Sequence, residues 1–121
     1  YIRPKSATRL SYTPHDVLLT HDSPRDAVRP DSGSEEISRV IRTAQPAFAF
    51  FGHYGGMTWP VAGDFGATQV FHLGDLRLQR DGGCAEEGSV GALTWEGGKG
   101  KFTFLDARWL RGFTRHNWQT R

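Results

Sequence analysis

Two histidines stand where a chain most readily builds a reactive site. His53 follows the apolar run Phe48-Ala49-Phe50-Phe51 and sits among glycines in Gly52-His53-Tyr54-Gly55-Gly56; His21 follows Val17-Leu18-Leu19-Thr20 and precedes Asp22. A short, wholly apolar run reads as a buried strand, so each histidine is delivered to the point where a strand gives way to a loop. Strand ends of this kind gather ligand-binding groups, because the strand is held rigid while the loop leaves the side chain accessible. Neutral imidazole there is a good ligand for a divalent metal. Spacing alone does not separate that role from a histidine that is simply exposed or hydrogen-bonded.

The elements between the two runs decide whether the histidines can meet. After Thr20 the segment His21-Asp22-Ser23-Pro24-Arg25-Asp26 is rich in turn formers, and the polar loop continues through Pro30-Asp31-Ser32-Gly33. Ser32 stands three residues before Glu35, the spacing of a capping box, and Ile37, Val40, Ile41 and Ala44 then fall on one helical face. Pro46 ends that helix. Strand, capped helix and the second strand Ala47 to Phe51 form a βαβ unit, whose strands are parallel and adjacent or nearly so. Parallel strands carry their carboxyl ends to one edge, so His21 and His53 are expected at the same edge although 32 positions separate them.

Beyond residue 56 the pattern shifts to short strands with glycine-rich turns, Thr68 to Leu73, Val90 to Glu96 and Lys101 to Leu105, which predicts a β-meander. Gly97-Gly98-Lys99-Gly100 reads as a hairpin loop; a phosphate loop would need a Ser or Thr after the lysine and a following helix. Residues 1 to 14 show little periodicity and read as an extended lead-in to a region spanning 15 to 121. The fold class is thus α/β, βαβ followed by meander.

A chain of 121 residues with 37% apolar and 12% aromatic content has room for one domain and one core. No run is long enough to span a membrane, and Tyr1-Ile2-Arg3-Pro4-Lys5 lacks both an initiator methionine and a signal-peptide apolar region, so a processed or truncated start and an intracellular location are expected. Cys84 is the single cysteine and forms no internal disulfide. It lacks an identifiable base and reads as an inert thiol. His15, His72 and His116 lie in no motif and read as hydrogen-bonding or solvent-facing residues.

The flanking residues carry a resemblance. Asp16-Val17-Leu18-Leu19-Thr20-His21-Asp22-Ser23-Pro24 resembles the strand-Thr-His-x-x-Pro segment of calcineurin-like metallophosphoesterases, and Phe51-Gly52-His53-Tyr54 is similar to the first half of their Gly-His-x-His motif. Gly88-Ser89-Val90-Gly91-Ala92-Leu93 resembles the family's Pro-Gly-Ser segment without the preceding Asn-Pro. The ending from Phe104 to Trp118 is similar to the C-terminus of a cyanobacterial-type branch. The likeness covers residues 15 to 121, the C-terminal half of such a domain.

What the resemblance implies is specific. The complete fold would be a β-sandwich flanked by helices, holding two divalent metals (Mn, Fe, Zn or Mg) that activate a hydroxide against a phosphoester. His21 and His53 would be ligands of one metal, completed by an Asp and an Asn from an N-terminal half that this sequence lacks. The second histidine of Gly-His-x-His would ligate the other metal; here that position is Gly55, which cannot. Two functions are therefore expected: a metal-dependent phosphoesterase when an N-terminal half or partner chain completes the site, or a degenerate, non-catalytic subunit of a larger assembly.

Residues 99 to 121 add a third consideration, since they hold six basic side chains against Asp106 alone. Arginines interleaved with Trp109, Phe113 and Trp118 are the composition of a single-stranded nucleic-acid grip. The competing expectation is that the aromatics pack on the domain or a partner while the arginines reach solvent.

Overall fold

The computed structural model describes residues 3–54, 61–79, 82–85, 87–114 and 116–117. The chain divides into two compact units, one formed by residues 1–53 and 61–72, the other by residues 54–60 and 73–121.

The first unit holds the βαβ motif. Strand β1 (Val17–Leu19) leads through the loop into helix α2 (Glu35–Ala44) and then strand β2 (Phe48–Phe51). The two strands pair in parallel, with Val17 opposite Phe48 and Leu19 opposite Phe50. Two further strands, β3 (Val61–Phe65) and β4 (Thr68–His72), form an antiparallel hairpin turned at Gly66, whose φ is +65°. Strand β4 lies parallel to β2, giving the order β1-β2-β4-β3. The segment Thr68 to Leu73, expected to start a separate meander, therefore belongs to the main sheet. Alternation explains this: Val70 and His72 point to the same side as Ala49 and Phe51 and extend the same buried surface.

That surface is the core. Leu18, Ala49, Phe51 and Val70 from the sheet pack with Ile37, Val40 and Ile41 of α2 and with Ala7. Ala7 lies on helix α1 (Pro4–Ser11), which overturns the expectation of an extended segment over residues 1 to 14. Pro4 is compatible with a first turn, and the helix turns its small residues Ala7 and Ser11 inward, where the Ser11 hydroxyl bonds the Ala7 carbonyl at 2.9 Å. Small buried residues leave almost no apolar periodicity in the sequence. The opposite face of the sheet carries Phe48, Phe50 and Phe71, with Phe50 and Phe71 rings stacked at 5.5 Å; Phe48 and Phe50 are both buried.

Helix α2 begins two residues later than the capping-box spacing suggests. Ser34, not Ser32, is the N-cap and accepts the Ile37 amide, while Ser32 bonds the Arg29 carbonyl instead. Between them Gly33 adopts a φ of +86°, and a Cβ there would lie 2.3 Å from the Pro24 carbonyl oxygen. The close approach sets the cap at the following residue. The Glu36 carboxyl is held below its ordinary value by its own backbone amide and then by the Ser34 hydroxyl. Gln45, left-handed, closes the helix ahead of Pro46.

The second unit contains two hairpins and a short 3-10 helix. Strands β5 (Leu76–Gln79) and β6 (Gly82–Ala85) pair antiparallel, as do β7 (Gly91–Glu96) and β8 (Lys99–Phe104). Gly97 and Gly98, both with positive φ, make a two-residue turn between β7 and β8; Lys99 and Gly100, expected to share the hairpin loop, open β8 instead. The 3-10 helix spans Arg108–Gly112. Mixed α/β structure, with one mixed sheet and separate antiparallel pairs, is thus the architecture of the described residues.

Candidate metal centre

Extension of the β1–β2 ladder beyond the strands themselves brings the histidines together. The Thr20 amide donates to the Phe50 carbonyl at 3.0 Å, and the Gly52 amide donates to the His21 carbonyl at 3.1 Å. Each loop is therefore bonded to the other strand's end, and His21 and His53 emerge from a shared frame. The Thr20 hydroxyl donates to the Asp22 carbonyl at 2.7 Å, and Asp22 Oδ1 accepts the Ser23 amide at 2.8 Å, so the turn around His21 is closed twice over. No periodicity signals these turn contacts; the sequence hint was only that Thr, Asp and Ser cluster there.

His53 is held differently. Its backbone φ is +77°, in the left-handed region. Histidine is among the few non-glycine residues enriched there, and such conformations concentrate at functional positions. Flanking Gly52 marks the sharp exit from the strand.

In this frame His53 Nδ1 lies 2.9 Å from His21 Nε2, with the rings edge-on at 82° and 4.9 Å between centroids. Both side chains are exposed. Two imidazoles in direct contact share one proton, since one nitrogen must donate and the other accept. The separation also fits metal ligation. With about 2.0–2.1 Å from each nitrogen to the ion, two ligand nitrogens stand about 2.9 Å apart at a right angle and about 3.3 Å apart at the tetrahedral angle. The donor set is nonetheless partial: among the described residues no group of three or more His, Cys, Asp or Glu is arranged to hold a metal. Gly55, where the resemblance would place a second histidine, lies outside the described residues.

His72 reaches the same edge of the sheet, because β4 is parallel to β2 and Phe51 pairs with it. It is fully buried on the helix-facing side, its ring edge-on to Phe51 at 5.4 Å. It is a core histidine and not part of the exposed pair. His15 Nδ1 donates to the Thr13 carbonyl, 2.7 Å away, at the opposite end of β1. His116 is exposed. A cleft of about 260 Å³ in the same unit, bordered by Arg25, Asp26, Gly63 and Phe65 above Phe51, includes neither His21 nor His53.

The basic tail is less available than its composition suggests. Arg108 grips Asp106 through two nitrogens, at 2.9 and 2.6 Å, and this pairing lowers the Asp106 carboxyl to about 2 while raising the Arg108 guanidinium. Trp109 is exposed and meets Phe113 edge-on at 5.7 Å. Arg115, Trp118 and Arg121 lie outside the described residues, and Cys84 lies in β6. No helix among the described residues is long and apolar enough to cross a membrane. No protein-family model matches this chain, nor does any curated protein or solved structure.

Proposed function

We propose that the chain is the C-terminal half of a calcineurin-like metallophosphoesterase, in which His21 and His53 hold one divalent metal for phosphoester hydrolysis once an N-terminal half supplies the remaining ligands. The observation that carries this reading is the 2.9 Å separation of His53 Nδ1 and His21 Nε2. Support comes also from the parallel βαβ unit that delivers both histidines to one edge, and from a sheet apolar on both faces, as a layer of a flanked sandwich must be. When bound, the metal would polarise a phosphoryl oxygen and lower the pKa of a ligated water. The chain's own part is to present two imidazoles at ligand spacing. Ligation would require the proton between them to sit on an outward ring nitrogen, while the bonded strand ends would hold the two side chains at this edge.

The second reading is a non-catalytic module of the same fold, favoured by the partial donor set and by Gly55 in place of a histidine. Metal analysis and a generic phosphoester assay on native material, with any partner chain retained, separate the two. Stoichiometric metal and turnover, both lost in His21→Ala and in His53→Gly, are the expected result for the enzyme. Absence of metal and of turnover with an intact partner would sink it.

A further inference from the structure

The residues from Arg3 to His15 include Arg3, Lys5 and Arg9 but no carboxylate side chain; the first is Asp16. Helix α1 sorts this segment by face. Ala7 and Ser11, four residues apart, are buried. Lys5 and Arg9, also four apart, and Tyr12, the C-cap residue three further on, fall within about 60° of one another at 3.6 residues per turn, on the far side of the helix from Ala7 and Ser11. All three are exposed, Tyr12 to 78%. Among the described residues Arg3, Lys5 and Arg9 take part in no ion pair, whereas Arg25, Arg42 and Arg108 each meet a carboxylate. The outer face of α1 is thus a stripe of uncompensated cations ending in an aromatic ring.

We propose that this face of α1 binds single-stranded nucleic acid, with Arg3, Lys5 and Arg9 on phosphates and a base stacked on Tyr12. The site is separate from the histidine pair and independent of its reading: α1 leads into the amino end of β1, and His21 follows the carboxyl end. Charge complementarity selects the partner. Three cations with no carboxylate among them fit a polyanion, and each phosphate they neutralise releases condensed counterions. Lys5 and Arg9 stand one turn apart, about 6 Å along the helix axis, a step that successive phosphates of an extended strand can follow. Tyr12 favours a single strand over a duplex, because a base lies on an aromatic face only when it is unstacked from its neighbours. An anionic bilayer is a poorer match. Helices that lie on membranes bury an apolar face in them, whereas Ala7 and Leu10 of α1 already pack with the core cluster and the outward stripe offers a single ring.

Fluorescence anisotropy of the full chain with a labelled oligothymidylate of about 12 nucleotides, followed through a salt series, tests this. Three phosphate contacts on a single strand make log K fall against log salt with a slope of about −2, and Lys5→Ala or Arg9→Ala should each reduce that slope by about 0.7. Tyr12→Ala should weaken binding about tenfold and leave the slope unchanged, a split that separates stacking from charge. All three side chains are exposed, so each variant should keep the far-ultraviolet circular dichroism of the parent. Failure of the parent chain to bind the oligonucleotide would overturn the proposal. Binding that survives in the variant lacking all three side chains would also overturn it, because the strand would then lie on other basic residues, such as those of 99 to 121. Tighter binding to the matching duplex would refute the role of Tyr12 as a base platform, and binding to phosphatidylserine vesicles in place of the oligonucleotide would assign the stripe to a membrane instead.

Discussion

The two units differ in how their order is maintained. In the first, strands distant in sequence pair with one another and close over a cluster drawn from α1, α2 and three strands. In the second, each described strand pairs with its chain neighbour, and among the residues whose burial is described Ala107 is the one buried apolar side chain. Local hairpins need little loop-closure entropy, but they also bury little. The histidine pair belongs to the first kind of structure. A contact between residues 32 positions apart survives because the sheet beneath it is fixed by burial. The exposed aromatic and basic groups of the second unit have no comparable support.

The largest test of this contrast is Phe51→Ala. Phe51 is 2% exposed, stands two residues before His53 and contacts His72; its loss should cost about 3–5 kcal/mol, read by urea unfolding, and should weaken divalent-metal binding by the histidine pair as well. A loss below 1 kcal/mol would mean the first unit is not organised by this cluster. Next come two glycines that ask the same question in the two units. Gly33→Ala combines left-handed backbone with collision against the Pro24 carbonyl, whereas Gly98→Ala, at a φ of +76°, meets nothing within 4 Å. The second should cost only the conformational penalty of about 1–2 kcal/mol, and the first distinctly more; equal thermal shifts would erase the distinction.

Smaller again is Ser34→Ala, which removes the cap on Ile37 and should cost about 1 kcal/mol in chemical denaturation. Ser32→Ala, by comparison, should leave the helix start unchanged. The smallest effect is electrostatic. Because pairing lowers Asp106 from its ordinary 3.8 to about 2, the contribution of the Asp106–Arg108 contact is present above 3.8 and disappears as pH falls through about 2. Both groups are surface-exposed, so high salt should bring the carboxyl's NMR titration back toward the ordinary value; a midpoint near 3.8 at low salt would show that the pair does not form in solution.

Much of the first unit was legible in the sequence. Unbroken apolar runs at Val17 and Phe48, and the spacing of Ile37, Val40 and Ile41, specify βαβ and therefore the common edge of His21 and His53. The N-terminal helix was not legible because it buries Ala7 and Ser11, which contribute shape and close approach with little hydrophobic signal. The direction of β4 was hidden for another reason. It depends on the hairpin with β3, where Gly63 and Asp64 are poor strand formers by propensity and only the register with Thr68 to His72 holds them extended. Ser32 and Ser34 are equivalent by pattern, and the choice between them lies in the meeting of Gly33 with Pro24. The 2.9 Å contact itself required the loop bonds from Thr20 and Gly52, which no residue spacing announces. The metallophosphoesterase reading continues to rest on its motifs and on that contact.

The backbone of His53 bears on how its own contribution is weighed. Alanine is the customary blank, on the premise that it removes a side chain and alters nothing else. At a φ of +77° that premise fails, since a Cβ without histidine's local polar contacts pays about 1–2 kcal/mol for left-handed geometry. Glycine occupies the same region freely. Here the residue that deletes the imidazole without disturbing the turn is glycine, and a loss of function in His53→Ala would mix the missing ligand with a relaxed loop.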